Sequence, residues 1–235
     1  MKSAGVSDIG LHRKKNEDQY FIDEEQGFFI VCDGMGGHKG GHVASRLAVE
    51  TIREHLDPTG AEGMSGVLSQ AVQAANRTIN RIGNSDDSLR EMGTTVTAAN
   101  IRDNCLTVAH VGDSRLYHFH SGTLTQITHD HTLTEQMIAD GVFTNGDLPA
   151  SSYRHILTRA VGVEPEVRVD MYEQEIGEGD WILICSDGLT DMLTDDEIAA
   201  FMDRAAEPEV TARALLDGSL DKGGHDNVTV IVVGV

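Results

Sequence analysis

The sequence predicts an α+β fold with largely antiparallel sheets, and three observations predict it. Strand-like runs occur early, centrally and at the end of the chain, with helical patterns interposed in blocks rather than in βαβ alternation. Between Thr94 and Ile127, β-branched and aromatic residues lie between short turns, the pattern of an antiparallel meander. No Pro/Ser-rich linker, low-complexity tract or fixed-period repeat divides the 235 residues, so a single domain over 1–235 is expected.

Residues 2 to 9 alternate loosely and read as a strand. The segment LHRKKNEDQY then sets three basic residues just before Asn16, Glu17 and Asp18, so that charges of both signs meet in a turn. YFIDEEQGFFIVC reads as two strands joined by an acidic turn at Asp23 to Gly27. The second, Phe28 to Cys32, is too short for a helix and too apolar for a solvated loop, which predicts burial on both faces. It reaches Asp33 and then DGMGGHKGG, read as a loop: either a tight Asp-Gly turn, or a loop offering carbonyls to a metal or amides to a phosphate.

Apolar residues near helical spacing predict a helix from Val43 to Leu56, closed by Asp57-Pro58, and a second from Met64 to Ile82. The meander follows as Thr94 to Ile101, Cys105 to Val111, Arg115 to His120 and Leu124 to Ile127. A short helix around Thr132 to Asp140 leads into the irregular GVFTNGDLPASSYRH, which reads as a functional flap. Beyond it, Arg168 to Glu175 and Trp181 to Cys185 read as strands, and Asp195 to Arg204 as a helix with Thr194 as N-cap. A last helix, Val210 to Leu216, precedes KGGHDN and the terminal strand VTVIVVGV.

The formal charge of −20 argues against nucleic acid and anionic membrane as partners and leaves divalent cations as natural company. No apolar run approaches the roughly 18 residues of a membrane span, and MKSAGVSDIG lacks the apolar core of a signal peptide, so a cytoplasmic location is expected. Cys32, Cys105 and Cys185 lie in or beside apolar runs and read as buried thiols rather than a disulfide framework.

Four aspartates share one setting. Asp33 follows FFIVC, Asp113 follows LTVAHV and a glycine, Asp187 follows WILICS, and Asp226 precedes NVTVIVV. Each sits at a strand mouth beside Gly, Ser or Asn, and paired strands hold such positions at fixed distances. Four carboxylates converging on one sheet end would repel unless cations joined them. Hard oxygen donors favour Mg²⁺ or Mn²⁺ over zinc. The histidine pairs His118/His120 and His129/His131 offer a rival set, for period-two pairs line one face of a strand, but the sequence does not place their partners consistently.

These residues carry a resemblance. RKKNED at 13 to 18, VCDGMGGHKGG at 31 to 41, MGTTVTAA at 92 to 99, AHVGDSRLY at 109 to 117, LTQITHDHTL at 124 to 133, LTRAVG at 157 to 162, LICSDGLTDMLTDDEI at 183 to 198 and GGHDNVTVIV at 223 to 232 resemble the PP2C (PPM) family of metal-dependent protein phosphatases, in its compact bacterial type. The resemblance implies a β-sandwich of two antiparallel sheets flanked by helix pairs, with two Mg²⁺ or Mn²⁺ ions at one end and a third ion in some bacterial relatives. It makes Asp33 the bridging carboxylate, Gly34 a carbonyl ligand, and Asp187 and Asp226 the remaining ligands of the other ion. It places Glu17 and Asp18 near the site, with Asp18 gripping metal-bound waters, and assigns Asp113 with Asp187 to the third ion. Arg13 becomes the phosphate clamp, because a planar guanidinium donates two parallel hydrogen bonds to phosphoryl oxygens.

The implied activity is hydrolysis of phosphoserine and phosphothreonine by a water that two ions activate, opposing Ser/Thr kinases in bacterial signalling. Phosphorylated proteins are the implied partners, a PII-type signalling protein among them, and a monomer is expected. One departure concerns the leaving-group acid: where many eukaryotic relatives have histidine after the bridging Asp-Gly, this chain has Met35. His38, three residues on, is a substitute. The segment from His131 to Arg159 matches the family's variable flap, and His155 within it is a substrate-contact candidate. Two alternatives stand beside this reading, a phosphatase for small phosphoesters and a non-catalytic cation-binding module.

Overall fold

A computed structural model describes residues 1–56, 63–141, 153 and 155–235. Among them, β1 (Lys2–Asp8), β2 (Gln19–Asp23), β3 (Phe28–Cys32) and the two-residue β4 (Gly34–Met35) precede the helices α1 (Gly37–His55) and α2 (Gly63–Ser85). The strands β5 (Gly93–Thr94), β6 (Val96–Arg102), β7 (Cys105–Val111), β8 (Arg115–His120) and β9 (Thr123–Gln126) follow, then α3 (Leu133–Ala139). The chain continues with β10 (Asp170–Glu175), β11 (Trp181–Cys185), α4 (Asp187–Thr190), α5 (Asp195–Met202), α6 (Pro208–Asp221) and β12 (Val228–Gly234).

The strands form two five-stranded antiparallel sheets, ordered β1-β12-β11-β8-β9 and β10-β7-β6-β3-β2, while β4 and β5 pair separately. Side-chain alternation along β3 shows how they stack. Phe28, Ile30 and Cys32 point to α1 and α2, where they meet Ala44, Ala48, Ile52, Leu68 and Ala75. Phe29 and Val31 point the other way and meet Leu116, Ile182, Ile184 and Ile231 of the facing sheet. That sheet's outer face, with Tyr117, Leu183, Cys185 and Val230, is covered by Leu189, Ile198, Leu215 and their neighbours on α4 to α6. The layers are therefore helices, sheet, sheet, helices, and a strand with both faces buried has no polar alternation to show.

Two expectations are corrected. The meander does not stay in one sheet: β6 and β7 pair in one, β8 and β9 in the other, and Gly112 to Ser114 carry the chain across. Gly112 holds φ +115, and a Cβ there would lie 2.5 Å from the Thr95 side chain, so only glycine fits this crossing. The glycine-rich stretch is also mostly helix, because α1 begins at Gly37. Close approach explains its glycines better than loop freedom does: a Cβ on Gly40 would meet Met92 at 2.9 Å, and one on Gly41 would meet the Gly34 oxygen at 2.6 Å.

Other elements fall where the pattern puts them. Thr194 caps α5 with a full capping box, its hydroxyl accepting from the Glu197 N–H while the Glu197 side chain accepts from the Thr194 N–H. The last helix runs longer than expected, from Pro208, and the short α4 has no expected counterpart. Of the flap, residues 142–152 and 154 lie outside the described residues. Its base is closed by a bridge between Thr132 and Leu157 and by the Thr158 N–H donating to the His131 carbonyl at 2.8 Å.

Candidate metal centre

The sandwich geometry brings all four strand-mouth aspartates to one end. Asp33, Asp113, Asp187 and Asp226 line a single cleft of about 500 Å³, together with Arg13, Glu17, Gly34, Thr95, His155 and Asn227. Each aspartate follows or precedes a strand whose interior is buried, so its backbone is held by the sheets while its carboxylate faces the opening.

Asp33 is the most firmly placed. Its N–H donates to the Thr95 hydroxyl at 2.9 Å, and its carbonyl accepts from the Thr95 N–H and the Thr94 hydroxyl, both at 2.8 Å. Burial pushes its carboxyl well above the ordinary aspartate range, and the neighbouring charges of Asp18 and Asp187 add to the rise. Asp18 lies behind it, 2 % exposed. One of its oxygens accepts from the Ser186 and Thr229 hydroxyls, each at 2.7 Å. Burial raises the Asp18 carboxyl to about 6 against the opposing pull of those two bonds.

Asp187 opens α4 immediately after Ser186, and burial together with Asp113 and Asp191 raises its carboxyl well above the usual range. Asp113 is pushed up to about 7, first by burial and then by Asp130. Among the described residues, two buried side-chain oxygens have no hydrogen-bond partner, and they are Asp18 Oδ1 and Asp187 Oδ1. Orphaned carboxylate oxygens in a cluster of raised, mutually repelling acids are what a site shaped for hard cations looks like before they bind. Gly34 fits the same set: any side chain at Gly41 would press on its carbonyl oxygen, which the pair of glycines leaves clear. The donors present therefore suit Mg²⁺ or Mn²⁺.

Arg13 reaches the cleft and there pairs with the Asp226 carboxylate through Nη2. His155 places Nδ1 3.5 Å from Asp191 Oδ2 and 4.0 Å from Asp187 Oδ2. Glu17 lines the cleft, with Oε1 3.4 Å from the His42 N–H. The side chain of His38 lies outside the described residues.

Two contributors, Asn227 and Asp191, were not singled out from the sequence, and a third, His131, was named there as half of a histidine pair and the start of the flap rather than for the contacts it makes. Asn227 accepts from the Glu17 N–H at 2.8 Å and donates to the carbonyls of Ile9 and Lys15, both at 2.9 Å, so it ties the Arg13 loop to the metal end. Asp191, one turn along from Asp187, gathers with it and His155 into a set able to hold an ion. His131 accepts from the Gly112 N–H at 3.0 Å while its other nitrogen contacts Asp170 at 3.1 Å, which anchors the flap base beside Asp113. The Asn following Asp226 and the Asp four residues after Asp187 were visible signals; the His131 contact depends on tertiary pairing alone.

A sandwich of this order with an acidic cleft at one end defines a class of proteins, and known members of it resemble this chain. The protein phosphatase 2C family profile matches residues 12–221. The serine/threonine phosphatase stp of Listeria welshimeri is 35% identical over 234 residues, covering 97% of this chain and 93% of that protein. The crystal structure of the Mycobacterium tuberculosis serine/threonine phosphatase PstP/Ppp superposes with a TM-score of 0.92 at 35% identity, covering 100% of this chain and 98% of that one. A second structure, the PstP catalytic domain in complex with two manganese ions, gives a TM-score of 0.88 at 35% identity, over 98% and 96% of the two chains. The chain belongs to the protein phosphatase 2C family.

Proposed function

We propose that the protein is a Mg²⁺/Mn²⁺-dependent serine/threonine protein phosphatase, and the observation that carries this is the orphaned pair Asp18 Oδ1 and Asp187 Oδ1 within the carboxylate cleft. Asp33, Gly34, Asp187 and Asp226 would hold two central ions, Asp18 would orient their water shell, and Asp113 with Asp187 would hold an outer one. Bound there, the ions supply Lewis-acid activation of water and neutralise charge on the phosphoryl group. The chain's own work is placement. Thr94 and Thr95 fix Asp33, the hydroxyls of Ser186 and Thr229 aim Asp18, and Asn227 holds the Arg13 loop over the cleft.

Arg13 is the phosphate clamp of this reading. Its side chain is more than half exposed, lines the cleft and pairs with Asp226 through Nη2 alone, which leaves guanidinium donors for a phosphoryl group entering there. His155, exposed at the cleft edge, is the substrate-contact residue, and His38 is kept as the leaving-group acid. The inter-sheet core joins the two sheets, each backed by its own helices, which supports one domain over residues 1–235. Substrates are phosphorylated proteins, a reading supported by the words 'serine threonine protein phosphatase' used of the PstP catalytic domain. A PII-type signalling protein is the specific candidate, tested by dephosphorylating its phosphoserine form, and monomeric mass in solution is tested by light scattering. No helix among the described residues is long and apolar enough to cross a membrane. A cytoplasmic site of action fits that and is tested by fractionation.

Hydrolysis of an aryl phosphate should require added Mn²⁺ or Mg²⁺ and vanish with chelator. Full activity in excess EDTA would sink the reading. Phosphopeptides should be turned over far better than sugar phosphates or nucleotides, and the reverse order would favour a small-molecule phosphatase.

A further inference from the structure

We propose that His118, His120 and Asp180 form a second cation site, at the end of the sandwich away from the acidic cleft, suited to a borderline transition ion such as Zn²⁺ rather than to Mg²⁺ or Mn²⁺. The site follows from strand register. His118 and His120 are two apart on β8 and so project from one face. On antiparallel β11, Trp181 lies opposite Phe119 and Ile182 opposite His118, and one further step brings Asp180 beside His120. Asp187 lies seven residues on, past the other end of β11, so at about 3.3 Å per residue the two sites are separated by about 20 Å.

The donors already converge. His118 Nε2 lies 2.8 Å from Asp180 Oδ2 and His120 Nδ1 2.5 Å from Oδ1, so each carboxylate oxygen faces one imidazole. All three ligand atoms lie within 4.8 Å of one another. The carboxylate is buried and held from behind by the Gly177 N–H at 2.9 Å, the outer-shell support that orients metal ligands. Asp180 is also tied to the chain's last strand, its carbonyl accepting from the Val235 N–H at 3.0 Å. His120 is the open side of the set, its side chain 65 % exposed.

Chemistry selects the ion. Zinc bonds of about 2.0–2.1 Å in tetrahedral geometry set ligand atoms roughly 3.3 Å apart. The His118 contact, 2.8 Å, needs to open by about 0.5 Å and the His120 contact, 2.5 Å, by about 0.8 Å, so the larger movement falls on the exposed His120 ring. Two imidazoles and one carboxylate suit Zn²⁺, whereas the all-oxygen cleft suits Mg²⁺. An ion at this second site would staple the end of β8 to the turn before β11 and stabilise the fold by mass action without touching the phosphatase centre.

The chain's one tryptophan, Trp181, is next to Asp180 and reports on the site. With untagged protein in saturating Mg²⁺, Zn²⁺ calorimetry should show one ion per chain, and Ni²⁺ should quench Trp181 fluorescence with the same stoichiometry. Both signals should survive Asp33→Asn, weaken at least about tenfold in His120→Gln, and disappear in His118→Gln/His120→Gln while Mg²⁺-supported phosphatase activity is unchanged. If the double variant does not fold, exposed His120→Gln alone carries the test. Zn²⁺ binding that persists in the histidine variants, is lost with Asp33→Asn, or is absent in saturating Mg²⁺ would overturn the proposal.

Discussion

The inner carboxylates, Asp18 and Asp33, and the outer ones, Asp113 and Asp191, gather around Asp187, which would serve both central and outer ions, but they are held differently. The inner pair is fixed by hydroxyls carried on or beside sheet strands: Thr94 and Thr95 for Asp33, Ser186 and Thr229 for Asp18. The outer group rests on the single turn of α4, the crossing at Gly112, and a flap base closed by a few bonds around His131. Rigid placement suits ions that must hold fixed charge at the reacting centre, and a lighter frame suits an outer ion that only adds to that charge. The inner site should therefore fail by losing metal, and the outer by losing rate.

The largest effect tests the inner half. Asp33→Ala removes a buried carboxylate that acts on Asp18 and Asp187 together, and on the proposed assignment it would leave both central ions short of a ligand. Activity should fall by at least ~10²–10³-fold, the loss seen when one preorganised charge-stabilising group is removed. Calorimetry should show at least one central ion gone, and intact stoichiometry would remove Asp33 from the bridging role. Asp113→Ala is the matched outer test. Turnover should drop by roughly 10²-fold or less while the tight central ions still bind. If the tight ions are lost, or turnover equals the parent's at every Mn²⁺ concentration, inner and outer roles are not separate.

Legibility in the sequence cuts across that division. Asp33, Asp113, Asp187 and Asp226 were found because a strand end leaves a local mark, an apolar run that stops at an acid beside Gly, Ser or Asn. The strands themselves were legible for the same reason, and Cys105–Val111, Arg115–His120 and Trp181–Cys185 have the expected bounds. What was not legible depends on pairing between distant segments. Nothing local says that β7 and β8 part company at Gly112, that Asn227 receives the Glu17 N–H, or that Gly41 is needed to clear Gly34. The glycine stretch misled because glycine required by close packing and glycine required by a loop look alike in one dimension.

Arg13 probes the rim where the two halves meet. It pairs with Asp226 and is half exposed, so its removal costs the fold little. Arg13→Ala should raise KM and lower kcat/KM by ~10–100-fold, the worth of a charge-assisted hydrogen bond of about 1.5–3 kcal/mol. Arg13→Lys should recover only part of this, because an ammonium cannot present two coplanar donors. Unchanged KM in both variants would place the phosphate elsewhere.

The smallest effect is on stability, and it separates inner from outer by pH. Without ions, burial raises Asp18 to about 6 and Asp113 to about 7, whereas an unfolded aspartate titrates near 3.9. Between those values the native state binds more protons than the unfolded chain, so ion-free stability is greatest below about pH 4 on account of these groups and falls as pH rises through 6 and 7. Ions bound to the carboxylates reverse the preference, since they favour the charged form. The thermal midpoint in EDTA should therefore decline from pH 5 to 8, and the decline should flatten with saturating Mg²⁺. Asp113→Asn should reduce the part of the decline nearest pH 7, to which the raised Asp33 and Asp187 also contribute, and leave the part nearest pH 6 that Asp18 carries behind the sheet-held inner site. A slope that is the same with and without Mg²⁺ would mean that the carboxylates do not carry it. Loss of both parts together in Asp113→Asn would mean that the inner and outer acids titrate as one cluster, and the mechanical distinction between them would then have no electrostatic counterpart.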